Sequence, residues 1–230
     1  MIRQDYIVRM IEKFAALIAQ IVQRSSEGDL EDVRKLINQG TEEWVGLTIE
    51  EMREMSDSKL ISRLLKGVST AEGRNRCFMT VALLHQTARL HDRTNEQGEA
   101  VQCRLRALAL LMTIRNFTEE EVVPDFVPKL ALLLEELKGF ELPAPVLAAL
   151  MHHHELNGEF AKAEDRLFEL LDRMEWEGRT IEFGHSFFHR LLGKSDEELV
   201  AGGLPKEEIE SAIEELHKRG ESAKSPANSR

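Results

Sequence analysis

The sequence is poor in cysteine, proline and aromatic residues, and each shortage narrows the choice of fold. Its two cysteines, Cys77 and Cys103, have no CxxC or Cys/His spacing around them, so neither a disulfide framework nor a zinc ribbon is indicated. Six prolines and 6% aromatic residues leave a chain of 230 residues that is rich in Leu, Ala and Glu. Because such residues lose little side-chain freedom in a helix, the composition favours an all-α protein.

Basic runs and long apolar runs are missing as well. The formal net charge is −11, and a strongly acidic chain repels phosphate groups unless its basic residues are concentrated on one face. The apolar stretch from Phe14 to Val22 is far shorter than the ~20 residues that cross a bilayer. We therefore expect a cytoplasmic protein without a nucleic-acid or membrane partner.

Familiar catalytic signatures are also lacking. The sequence has no GxSxG, P-loop, GxGxxG or HExxH pattern, and its many neighbouring carboxylates are typical of solvated helix faces. We predict a non-enzymatic protein that needs no cofactor.

What the chain does contain is helical periodicity from end to end. In the first predicted helix, Asp5 to Arg24, apolar residues recur every three or four positions and form one broad stripe. Such a stripe is buried against the rest of the chain or against a second copy, and we predict a homodimer that uses it. The stripe consists of Ile7, Met10, Ile11, Phe14, Leu17, Ile18 and Ile21.

Longer helices with short connections follow, and short connections make neighbouring helices pack antiparallel. The predicted long helices are Arg74–Arg93, Glu96–Arg115, Asp125–Lys138, Ala144–Asn157 and Phe160–Glu177. The predicted organisation is an N-terminal helical segment (1–68), a helical array (69–178), a C-terminal helical cap (179–220) and a disordered tail (221–230).

Two helix pairs in the array carry small residues where close helix packing needs them. The later pair has Gly158 in its turn, the small residue Ala163, the aromatic residue Phe160 and the apolar residues Leu147, Leu150, Leu167 and Leu170. The earlier pair has the small residues Ala88, Ala100 and Ala107, with Leu84 ahead of them. Both pairs resemble divergent tetratricopeptide repeats, a resemblance that implies an α-α superhelix. With its MIRQDY start and its FGHSFFHRLLGKSDEELVAGGLP tail, the whole chain also resembles an uncharacterised bacterial family.

The tetratricopeptide resemblance further implies a groove lined by the first helix of each pair. Mixed polar side chains in such a groove bind the backbone and termini of a peptide, although a solvated helix face has the same composition. The groove residues that the resemblance implies are His85, Arg89, Asp92, His152 and Glu155.

Two histidine clusters raise the alternative of a metal site. His152, His153 and His154 are consecutive, so on a helix they point in directions about 100° apart and do not converge on one ion. Glu182, His185 and His189 are better spaced, on one strip of a helix, and could form a site with two histidines and one carboxylate.

The sequence therefore predicts an all-α cytoplasmic interaction or self-assembling scaffold module that binds a protein or peptide. The alternative is a metal-dependent enzyme or a ligand-sensing regulator that uses the strip of Glu182, His185 and His189.

Overall fold

The structure, a computed structural model, describes residues 2–117 and 123–223; at 2–5, 116–117 and 222–223 it describes the backbone alone. Every regular element in these ranges is a helix, and no strand occurs among them, which confirms the all-α prediction. None of the described helices has the length and apolar character that crossing a bilayer requires. The helices form two compact units, Met1–Glu141 and Leu142–Arg230, called unit 1 and unit 2 below.

The described part of unit 1 contains seven α-helices. They are α1 (Ile2–Glu27), α2 (Leu30–Gly40), α3 (Ile49–Glu54), α4 (Asp57–Leu65), α5 (Thr70–Arg93), α6 (Gln97–Phe117) and α7 (Leu130–Glu136). A single π-helical turn, Thr41–Val45, continues α2.

The predicted dimer stripe of α1 is buried inside unit 1. Met10, Phe14, Leu17, Ile18 and Ile21 are all buried, whereas Ile7 and Ile11 are partly exposed. α1 packs against α2 and α5, and the Phe14 ring lies edge-on to Phe126 with 4.8 Å between the ring centroids. Burying the stripe within one chain removes the same apolar area from water as a dimer would. Five of the seven stripe residues therefore pack within the chain, and the predicted homodimer stays a prediction.

Helices α5 and α6 form the predicted antiparallel hairpin. Small residues at their contact, Ala88, Ala100 and Cys103, are fully buried and let the two backbones approach closely. Burial raises the pKa of the Cys77 thiol to about 12 and that of Cys103 to about 11, so both thiols stay protonated at neutral pH. The two cysteines are therefore small core residues.

Pro128 affects where α7 begins. The sequence predicts a helix from Asp125 to Lys138, but the observed helix begins only at Leu130. Pro128 disfavours helical geometry at the residue before it, and residues 125–129 accordingly stay outside the helix. The predicted start was wrong for this reason.

Unit 2 contains the second hairpin and the C-terminal helices. Its described helices are α8 (Ala144–Leu156), α9 (Phe160–Arg173), α10 (Gly178–Leu191), α11 (Asp196–Ala201) and α12 (Lys206–Ala223). α8 and α9 pack as the predicted antiparallel pair, and α10 packs against both α9 and α12. The core is built around Phe187 and Phe188 of α10, together with Leu167 of α9 and Leu216 of α12.

The two units divide the chain differently from the sequence-based domains. The predicted boundary at 68/69 falls inside unit 1, because α4 packs on α5 and α6. The boundary at 178/179 falls inside unit 2, because α10 packs on α9. As a result, the two hairpins that resemble tetratricopeptide repeats belong to different units. Residues 221–223 of the predicted tail belong to α12, and the remainder, 224–230, lies outside the described residues.

Candidate interaction groove

An open groove runs between α9 and α12 of unit 2. Both helices are amphipathic, and each turns an apolar face toward α10 beneath them. Gly184 of α10 allows the close packing, since a Cβ atom there would lie 3.1 Å from Leu216 of α12 and 3.5 Å from Leu167 of α9. The polar edges of α9 and α12 lie on either side of this contact and border an open space of about 510 Å³.

Carboxylates from both helices line this space, which we call the acidic groove. They are Glu164, Asp165 and Asp172 of α9 and Glu208 and Glu215 of α12. Phe168 and Ala212 supply apolar surface between the carboxylates. Its lining therefore combines negative charge with an apolar strip, a combination found in many peptide-binding surfaces.

One end of the acidic groove is neutralised by Arg219. Its guanidinium forms ion pairs with Asp172, at 3.8 Å, and with Glu215. The same group lies 4.7 Å from the ring centroid of Trp176, and the Trp176 indole N–H donates a hydrogen bond to Asp172. Asp172 and Glu215 are thus satisfied within unit 2.

The other end carries negative charge without a matching cation. Glu164, Asp165 and Glu208 form no ion pair or side-chain hydrogen bond within the described chain. Burial, together with the charges of Glu208, Asp165 and Glu215, raises the pKa of Glu164 to about 7. Perturbed carboxyl groups of this kind cluster at functional sites, where they are available to a ligand.

The groove residues implied by the tetratricopeptide resemblance are placed elsewhere. In unit 1, His85 is buried and its Nε2 lies 2.9 Å from Glu136 of α7. Arg104 of α6 donates hydrogen bonds to Glu136 and to both carboxylate oxygens of Asp92, while Arg89 is exposed. His85 and Asp92 therefore belong to a polar network that ties α5, α6 and α7 together.

The pKa values within this network support a structural role. Burial lowers the pKa of His85, an effect that Glu136 opposes and the charges of Arg89 and Arg104 reinforce. Burial also acts against the charge of Arg104, but hydrogen bonds to Asp92 and Glu136 outweigh it and raise the pKa. At neutral pH the network holds a neutral imidazole and a paired guanidinium.

The other implied groove residues lie in unit 2. Glu155 of α8 accepts two hydrogen bonds from Arg190 of α10, at 2.7 and 2.8 Å. His152 is exposed, and its Nδ1 lies 4.0 Å from Glu155. Because Glu155 is engaged by Arg190, it does not offer a free carboxylate to a peptide.

The histidine clusters do not assemble a metal site. His153 and His154 are buried while His152 is exposed, and His154 Nδ1 lies 2.7 Å from Glu159 at the start of α9. These residues connect α8 to α9, and they point in different directions as the helix geometry requires.

The strip of Glu182, His185 and His189 does not converge either. Across residues 2–117 and 123–223, no three His, Cys, Asp or Glu side chains are grouped as metal ligands. His185 packs instead on His217 of α12, with 4.5 Å between the ring centroids. Burial, and then the neighbouring charge of His217, lowers the pKa of His185. The alternative metal site therefore finds no support in the geometry.

The acidic groove was not predicted from the sequence, although part of its charge pattern is visible there. Glu208 and Glu215 lie seven residues apart on α12, and Glu164 and Asp172 lie eight apart on α9, so each pair shares one helix face. What the sequence could not show is that the two faces lie side by side.

Comparison with known proteins places the chain in a family. It belongs to the family of unknown function DUF6483, whose model matches residues 1–221. No curated protein and no solved structure matches the chain. The whole-chain resemblance to an uncharacterised family is thereby confirmed, whereas the relation of the hairpins to tetratricopeptide repeats stays a resemblance.

Proposed function

We propose that this protein is a non-enzymatic interaction module whose acidic groove binds a basic segment of a protein. The observation that carries the proposal is the acidic groove itself, where carboxylates of two helices flank an apolar strip. Three of those carboxylates, Glu164, Asp165 and Glu208, have no cation among the described residues to balance them.

The arrangement of the carboxylates indicates what kind of cation fits. A metal ion needs several oxygen ligands around one point. The carboxylates of the acidic groove are not grouped in this way, since the described chain contains no three-ligand metal cluster. Separate carboxylates along a groove suit separate ammonium or guanidinium groups on one extended or helical segment.

Charge repulsion across the acidic groove also favours a basic ligand. Like charges that repel each other across a groove cost folding free energy, and folded proteins retain such features mainly at functional sites. A basic ligand relieves this repulsion when it binds. Its apolar side chains would contact Phe168 and Ala212 between the charged walls.

A fluorescence anisotropy titration tests the proposal. The probe is a fluorescein-labelled peptide of lysine and alanine, and the same peptide with glutamate in place of lysine is the negative control. At low ionic strength we expect the wild type to bind the lysine peptide alone. The double variant Asp165→Lys/Glu208→Lys should bind it about tenfold more weakly or worse, because attraction is replaced by repulsion.

A matched variant separates the groove from the overall charge. Glu210 and Glu214 are exposed on α12 and do not line the acidic groove, so Glu210→Lys/Glu214→Lys changes the net charge equally. It should retain most of the wild-type affinity. Equal weakening in both double variants, or no binding by the wild type, would contradict the proposal.

A further inference from the structure

The outward face of α4 in unit 1 carries an exposed basic strip. Leu60 and Leu64 are buried on the inner face, where α4 packs on α5 and α6. The opposite face forms a shallow depression of about 350 Å³. We call this surface the basic strip; it consists of Ser58, Lys59, Ser62 and Arg63 of α4, together with Met55 before the helix and Lys66 directly after it.

The cations of the basic strip have no acidic partner. Elsewhere in unit 1, Lys35 forms an ion pair with Glu31 and Arg76 forms one with Glu72, each within a single helix. Lys59, Arg63 and Lys66 form none within the part of the chain that the structure describes. In a chain with a net charge of −11, three neighbouring cations without acidic partners, two on α4 and one at its C-terminal cap, form a positive surface.

The basic strip and the acidic groove are complementary in charge and in length. Three unpaired cations on one surface correspond to three unpaired carboxylates on the other, Glu164, Asp165 and Glu208. At a rise of 1.5 Å per residue, α4 extends about 12 Å from Asp57 to Leu65, and the α9 wall from Glu164 to Asp172 has about the same length. Met55 also gives the strip an apolar side chain to meet Phe168.

We infer that the protein associates with a second copy of itself, the basic strip of one copy binding in the acidic groove of the other. This inference rests on the proposed function and names the partner of the same groove. Each copy carries both surfaces, so two reciprocal contacts close a dimer, and successive contacts in one direction build a longer assembly. Both assemblies need both surfaces and weaken as salt screens the charges.

A charge-exchange experiment tests the inference by sedimentation velocity of the full chain at low ionic strength. The wild type should sediment as a species heavier than one chain and should dissociate as salt is added. Two exposed double variants, Lys59→Glu/Arg63→Glu and Asp165→Lys/Glu208→Lys, should each sediment as single chains. Circular dichroism should show that both retain the helical fold, because all four positions are exposed.

The decisive sample is an equimolar mixture of the two variants. The acidic strip of the first variant now fits the basic groove of the second, and the unchanged surfaces fit each other. Association should therefore reappear in the mixture alone. The variant Glu210→Lys/Glu214→Lys, altered outside both surfaces, should associate like the wild type.

The outcomes distinguish this inference from the proposed function. A wild type that stays a single chain at every concentration, yet binds the lysine peptide, overturns self-association and leaves the proposed function standing. A wild type that neither associates nor binds the peptide overturns both. Variants that associate as the wild type does, or a mixture that remains dissociated, also overturn the inference.

Discussion

Glu164 of α9 and Glu208 of α12 line the same groove, and the charge of Glu208 helps to raise the pKa of Glu164 to about 7. Burial is the larger cause, and Asp165 and Glu215 add to it. The fold of unit 2 thus holds the Glu164 carboxyl group in surroundings that disfavour its ionised form.

Stability should depend on the protonation of Glu164. Its pKa is raised from 4.5 to about 7, so the folded state binds its proton more tightly than the unfolded state does. This contribution to the free energy of unfolding is present below pH 4.5 and is lost as the pH rises to about 7. We expect Glu164→Gln to be more stable than the wild type at pH 8 and no more stable at pH 4.5. Urea unfolding at several pH values measures both, with Glu210→Gln as the control that leaves the pH dependence unchanged.

Binding of the lysine peptide should weaken on acidification. Below about pH 7, Glu164 becomes neutral, and the acidic groove loses one of its three unpaired charges. Anisotropy titrations at pH 8 and pH 5.5 should show lower affinity at the lower pH for the wild type. Glu164→Gln should bind weakly at both, and a pH effect of the same size in this variant would count against the account.

Gly202, just after α11, should tolerate no larger residue. A Cβ atom there would lie 2.2 Å from the Phe160 ring and 2.6 Å from the Gly158 carbonyl oxygen, which as a backbone atom has little freedom to move. Gly202→Ala should therefore destabilise unit 2 by about 2 kcal/mol, a usual cost of overpacking. Gly178 has no atom within 4 Å of its Cβ position, so Gly178→Ala is the control. Thermal unfolding followed by circular dichroism compares the two, and equal melting temperatures would refute the predicted clash.

Arg104 should be the central residue of the polar network in unit 1. Replacing it with Met leaves the carboxylates of Asp92 and Glu136 without their guanidinium partner, at a cost of about 2 kcal/mol in unfolding free energy. Arg89→Met removes an exposed arginine of the same region and should change stability by less than about 0.5 kcal/mol. Urea unfolding of both variants makes the comparison, and similar losses would show that the network contributes little.

The features that the sequence predicts well depend on neighbouring residues. Thr48 with Glu51, and Ser195 with Glu198, form capping boxes that their spacing alone indicates, because both partners lie within one turn of helix. Periodicity likewise finds the helices and the hairpin α8–α9. Helix ends are harder to predict than helices, as the effect of Pro128 on the start of α7 shows.

Features that depend on contacts between distant residues are not predictable from sequence spacing alone. The apolar stripe on α1 can be buried within one chain or in a dimer, and its periodicity is the same in both cases. The sequence therefore does not show which surface covers it. The acidic groove needs Glu164 and Glu208 side by side, and only the packing of α9 and α12 on α10 brings them there. Spacing within one segment likewise suggests a metal site at Glu182, His185 and His189, whereas His185 packs on His217 of another helix.

The most direct test of the central claim is an NMR titration of the ¹⁵N-labelled protein with the lysine peptide. If the acidic groove is the binding site, the amide signals that move should belong to α9 between Glu164 and Asp172 and to α12 between Glu208 and Arg219. The glutamate peptide should leave them in place. Shifts that concentrate on α8 and α5, around His152 and His85, would contradict the account and restore the groove implied by the tetratricopeptide resemblance.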